Sequence, residues 1–133
     1  ATYIGYFFTS IKGYSKFGKY HGNNNADGTF VYTGFKPAYI IVKNTERTQS
    51  WRAYDARRPG FNSLTSYANR TNNSIKINGT SVEQTNNQLD ILSNGFKFRS
   101  NDGDSNGYDE NHIYWAFAEH PFVASNNVVA TAR

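Results

Sequence analysis

Residues 95–99 read Gly-Phe-Lys-Phe-Arg. Side chains along an extended chain point alternately to opposite sides, so Phe96 and Phe98 share one side and Lys97 and Arg99 the other. A strand with one side in a core and one toward water has this pattern. The same period of two runs through HIYWAFAE, residues 112–119, with Ile113, Trp115 and Phe117 on one side and Tyr114, Ala116 and Ala118 on the other. Both sides are apolar there, which predicts a central strand. Residues 37–44, PAYIIVKN, are nearly continuous in apolar residues. They start at Pro37, whose missing N–H is best tolerated at a strand beginning, and are also expected to be central.

Weaker strand patterns occupy YIGYFF (3–8), SKFGKY (15–20), GTFVYT (28–33), SWRAYD (50–55), NSIKIN (73–78), TSVE (80–83) and QLDIL (88–92). Together these make roughly eight to ten short strands. Clusters of Gly, Asn and Asp separate them, with Asn-Gly starting at 78, 94 and 106, the dipeptide expected to supply the positive φ angles of tight turns. No segment sustains apolar residues at i, i+3, i+4 and i+7. The expected fold class is all-β: an antiparallel β-sandwich of the jelly-roll or lectin-like kind, with little or no helix, preferred over a barrel.

At 133 residues the chain is expected to form a single domain, 1–133, with 123–133 a polar C-terminal tail. Hydrophobic residues make up 38%, but aromatics reach 17%, with ten Tyr and ten Phe, so rings must supply most of the buried area. There is no Cys, which removes disulfides, thiolate metal sites and thiol nucleophiles together. No apolar run approaches the roughly 20 residues of a membrane span, and the start has no signal-peptide order, so a soluble protein without membrane insertion is expected. A start at Ala1 with no Met anywhere fits a processed product or one domain of a longer protein.

The net charge of +4 is unevenly distributed. Residues 1–80 hold 11 Lys and Arg against 3 acids, and residues 81–133 hold 3 against 7. Such asymmetry suits an anionic partner, or self-complementary packing between subunits. The basic residues are scattered singly rather than in a run, so nucleic acid is not expected as a partner.

The stretch NDGDSNGYDENHI, 101–113, spaces Asp102, Asp104, Asn106 and Gly107 like the first half of a calcium loop. The position that needs a bidentate Glu is Ile113, and the flanks are strands rather than helices. The helix–loop–helix reading fails, and a solvated hairpin loop whose Asp and Asn residues satisfy their own backbone is expected, with calcium held in another geometry by Asp102, Asp104, Asn106 and Asp109 or Glu110 as the alternative. His21, His112 and His120 show no ligand spacing, so neither a metal nor a cofactor is expected.

No nucleophile elbow, phosphate loop or zinc-protease motif occurs, and no enzyme activity is expected. The best enzymatic alternative is a glycosidase using carboxylates among Asp55, Asp90 and Glu119. The acceptor patterns at Asn69, Asn72 and Asn78 are uninformative in a chain with this much Asn, Ser and Thr. The richest binding patch is SWRAYDARRPG, 50–60, where Trp51 and Tyr54 offer rings, and Asp55, Arg57 and Arg58 offer directional hydrogen bonds. An equally direct reading makes Trp51 and Tyr54 core and Asp55 with Arg57 or Arg58 an ion pair pinning a loop.

The ordered set DGTFVYTGFKPAYIIVKNT, WRAYDARR, LDILSNGFKFR, a Gly/Asp loop and IYWAFAEHPF resembles a domain recurring in virion proteins of tailed bacteriophages, often marine ones. There it ends tail-fibre-like and other surface proteins. The resemblance spans about residues 16–122. It implies a non-enzymatic structural or adhesive module on the surface of an extracellular particle. Its partners would be further copies of itself and other virion proteins, or alternatively a host surface glycan bound in lectin fashion. Gly34, Phe35, Pro37 and Ala38 then open one central strand, Trp51, Asp55 and Arg58 form a second motif, and Ser93, Asn94, Gly95 and Phe96 make a turn. The chain is shorter than a fibre protein, which leaves fibre domain and capsid decoration both open.

Overall fold

A computed structural model describes residues 2–57, 70–71, 73–85 and 89–121. Arg58 and the tail 123–133 lie outside the described residues. Among the described residues nine strands follow one another: β1 (Ser15–His21), β2 (Phe30–Tyr32), β3 (Pro37–Asn44), β4 (Arg52–Asp55), β5 (Arg70–Thr71), β6 (Ile75–Lys76), β7 (Leu89–Leu92), β8 (Gly95–Phe98) and β9 (Asn111–Ala118). They form two antiparallel sheets, ordered β1-β9-β3-β4-β6 and β2-β8-β7-β5, and no helix occurs among the described residues. The β-sandwich expected from the alternation is present.

The alternation also places the core. Phe96 and Phe98 of β8 are fully buried, as are Leu89 and Ile91 of β7 and Val31 of β2. They pack against Tyr20, Ile40, Val42, Tyr54, Tyr114 and Ala116 on the inner side of the five-stranded sheet. Rings dominate: Phe96 lies edge-on to Phe98 and Tyr114, and Tyr20 stacks on Phe98 at 5.1 Å. β9 and β3 are central, β9 lying between β1 and β3, and β3 between β9 and β4. A bulge between Pro37 and Tyr39 resets the pleat of β3, so that Ile40 and Val42 turn inward while Tyr39 and Ile41 turn outward.

Three expectations need correction. Residues 3–8 and 80–83 form no strand; the first lies outside the sheets, and the second runs beside an isolated bridge between Ser74 and Gln84. The two-residue β5 carried no apolar alternation to announce it. Finally, none of the three Asn-Gly pairs uses a positive φ; that conformation occurs at Gly13, Gly34, Asn24, Tyr108 and Asp109. Two of those Asn-Gly glycines answer a steric need instead. A Cβ on Gly95 would sit 2.2 Å from the carbonyl oxygen of Val31 on the paired β2, and one on Gly107 would strike the backbone of Gly103.

The loop 101–110 joins β8 to β9, and it is built inward rather than solvated. Asp104, Ser105 and Asn106 are buried. Asp102 accepts from the Asp104 N–H through its side chain and from the Ser105 and Asn106 N–H groups through its carbonyl. Asn106 donates to Asn23, Asn25 and Ser100 and accepts from the Asn23 N–H, tying the loop to the chain after β1.

The carboxylates face a cation supplied by the fold. Arg52 on β4, 2% exposed, pairs through Nη2 with Asp104 and with Asp102 at 3.4 Å, and Lys76 of β6 lies 3.7 Å from Asp104. Arg47 and Asn44 hold Glu110, and their hydrogen bonds lower its pKa, the Asn44 bond contributing most. The charge asymmetry of the sequence is resolved in the same way. Acids of the second part meet bases of the first within one molecule, Lys36 with Glu119 at 2.8 Å being a further case.

Candidate interaction surface

The outer side of the five-stranded sheet carries the residues that alternate with the core set. In register across β1, β9, β3 and β4 stand Phe17, Trp115, Ile41 and Ala53, with Phe117 and Tyr39 in the next row. Phe17 packs edge-on to Phe117 at 5.8 Å, and Phe117 lies 6.4 Å from Tyr39. Trp51, just before β4, meets Trp115 at 5.5 Å and is held by the Asn78 side chain, which accepts from its backbone N–H. Both tryptophans of the chain therefore lie on this one face.

What covers the face is the segment 2–11. Its root is tied to β1: the Phe17 N–H donates to Ser10 Oγ, the Ser15 hydroxyl donates to the Thr9 carbonyl, and Ile11 bridges Ser15. Phe8 then lies on the sheet, stacked on Phe17 at 5.3 Å and tilted against Trp115 at 4.9 Å. The cover is thin. Tyr3, Ile4, Tyr6 and Phe7 are 88, 79, 76 and 95% exposed, far beyond the scattered apolar residues normal for a surface. Between the segment and the sheet runs an apolar groove of about 440 Å³ lined by Tyr6, Ile41, Trp51, Ile77 and Trp115.

Of the five residues expected to form a binding patch, the four that are described do not share one face. Trp51 is on the outer aromatic side, whereas Tyr54 is fully buried in the core, where burial pushes its pKa up. Asp55 accepts from the Arg57 N–H and closes the turn after β4, and Arg57 reaches Glu119 at 3.4 Å. Arg58 lies outside the described residues. Of the three carboxylates considered for glycosidase work, Asp55 holds that turn, Glu119 pairs with Lys36 and Arg57, and Asp90 pairs with Arg99 at 2.6 Å in the other sheet.

A second, more polar depression of about 300 Å³ lies between the turn before β1 and the turn after β2. Ser10, Lys12, Lys16, Tyr32 and Thr33 line it, with the positive-φ glycines Gly13 and Gly34 at its walls. Neither lysine has an ion-pair partner among the described residues, and the Tyr32 ring is 63% exposed.

Residues 1–121 match the profile of a domain of unknown function, DUF7483. The chain belongs to this family. The match includes the segment 2–11 as well as all nine strands, so the aromatic face and its cover fall together within the DUF7483 domain. Comparison with curated proteins and with solved structures returns no match.

The sequence signal for this face lay in Trp115 and Phe117. Apolar residues on both sides of β9 imply two covered faces; among the described residues the second cover is the chain's own leading segment, and that cover is incomplete. The polar depression had no sequence signal, because its residues come from two turns separated by about one strand.

Proposed function

We propose that this DUF7483 domain is a non-enzymatic structural module of a bacteriophage virion surface, a tail-fibre domain or capsid decoration, that acts by protein–protein assembly. The observation that carries the assembly part is the aromatic outer face of the five-stranded sheet with its exposed apolar segment. Interface cores are enriched in Tyr, Trp and Phe and depleted in charge, and this face has that composition. The virion setting rests on the resemblance of the ordered motifs.

Because Trp51 and Trp115 both sit on the face, intrinsic fluorescence reads it alone. Light scattering and emission spectra over a series from micromolar to millimolar protein test the reading. A rise in mass accompanied by a blue shift and loss of acrylamide quenching is expected. A particle that stays monomeric with unchanged emission, also when mixed with purified virions, would remove the basis of the proposal.

A second reading, recognition of an acidic host glycan, is favoured by the polar depression. The exposed Tyr32 ring, the hydroxyl-bearing Ser10 and Thr33 and two uncompensated lysines suit a carboxylated sugar. A glycan array checks it: binding of acidic sugars lost in Lys12→Ala/Lys16→Ala supports this reading, and an array without hits rejects it.

A further inference from the structure

We infer that the occupant of the uncovered face is a second copy of this chain, placed so that the outward side of each leading segment packs on the face of the other. The inference rests on the assembly reading above and names its partner and geometry. The aromatic residues of the leading segment differ in what they meet. Phe8 faces its own sheet and Tyr6 borders the groove, whereas Phe7, between them, is 95% exposed and points away. A protruding ring and an open apolar groove thus stand side by side on one patch. That is the requirement of a two-fold contact, in which the same patch meets itself and each knob finds the other copy's hole.

Charge agrees. Residues 1–11 contain no ionisable side chain other than tyrosine, and none of the five groove residues is charged. Two molecules that each carry a net +4 can therefore meet here without placing like charges in contact. Nearby Lys43 is turned to its own backbone, its Nζ donating to the carbonyls of Asn44 and of Arg47 at 3.0 Å.

Area agrees as well. Tyr3, Tyr6 and Phe7 from two copies would bury about 150–250 Å² per ring. This brings the contact close to the roughly 1,200 Å² at which stable interfaces begin, before the receiving sheet faces are included. A partner of other chemistry would need its own apolar knob, whereas a second copy brings one.

The absence of cysteine makes the geometry directly testable. Two variants, Phe7→Cys and Ile77→Cys, are prepared separately, one carrying a mass tag, then mixed and oxidised. A disulfide between Phe7→Cys of one copy and Ile77→Cys of the other is expected, with no corresponding product when Tyr108→Cys replaces the Ile77 variant. At concentrations where the parent is monomeric Phe7→Ser should leave the melting transition unchanged, since the ring is exposed, and at higher concentrations it should weaken self-association by at least about tenfold. An oligomer that forms without the 7–77 link, and that Phe7→Ser does not weaken, overturns this inference while leaving assembly through another surface intact. A monomer with unshifted tryptophan emission overturns both.

Discussion

The two sides of the five-stranded sheet are built by the same strands from similar residues and meet different fates. On the inner side Tyr20, Tyr54 and Tyr114 lie under a second sheet that supplies Phe96 and Phe98, and none is more than 8% exposed. On the outer side Phe17, Trp115 and Phe117 are only half-buried, and what lies on them is a ten-residue segment anchored by a few hydrogen bonds. Apolar alternation therefore marks which residues need cover, and among the described residues the outer face receives less of it than the inner one.

The comparison can be broken first at the inner side. Phe98→Ala removes a fully buried ring and is expected to cost about 3–5 kcal/mol in urea unfolding. Trp115→Ala on the outer side should cost distinctly less, about 1–2 kcal/mol, because the ring is only half-buried and its neighbours can close on the space it leaves. Equal losses would mean that the outer face is as closed as the core.

The charged floor of the sandwich should be nearly as sensitive as its rings. Asp104→Ala strips the buried Arg52 of its closest partner and is expected to cost about 3–5 kcal/mol. The double variant Arg52→Met/Asp104→Leu should recover most of that loss, which a thermodynamic cycle measures. Asn106→Ala, which deletes the donors to Asn23, Asn25 and Ser100, is expected to cost about 1–3 kcal/mol and to loosen hydrogen exchange in residues 22–25.

The smallest effect is pH-dependent. His112 is fully buried, stacked 5.0 Å from Tyr20, with Nδ1 donating to the Glu110 carbonyl, and burial lowers its pKa from 6.5. The unfolded chain therefore takes up the proton first. Stability should fall as pH drops from 6.5 toward the lower folded value and level off below it, as far as this group is concerned. Asp102 has the opposite sign: burial raises its pKa, so the folded state binds that proton first and regains some stability at more acid pH. Denaturation midpoints from pH 8 to pH 5 should show the loss in the parent and not in His112→Phe.

Much of the fold was legible because alternation maps directly onto burial. Gly95–Arg99 shows its inward and outward residues directly, whereas Pro37–Asn44 and His112–Ala118, apolar on both sides, show central strands without saying which side is inward. The misses share a cause. Residues 3–8 have strand composition but no partner edge, and composition alone cannot distinguish a strand from an apolar segment laid across a sheet.

The loop 101–110 looked like a metal loop or a solvated one because its counter-charge, Arg52, lies fifty residues away and is contributed by a neighbouring strand. Trp51 and Tyr54, three residues apart, sit on opposite sides of the sheet. A patch inferred from nearness in sequence could not hold together across a strand.

The position of β9 has a consequence for biosynthesis. It is the last strand described, yet it pairs on one side with β1 and on the other with β3. Until the ribosome has released it, those two earlier strands present unpaired edges, and Arg52 and Lys76 wait for the carboxylates of the loop that precedes it. A nascent chain stopped before Asn111 should therefore be sticky and protease-sensitive. The domain should close late, slowly and in one step, as expected when distant pairings dominate.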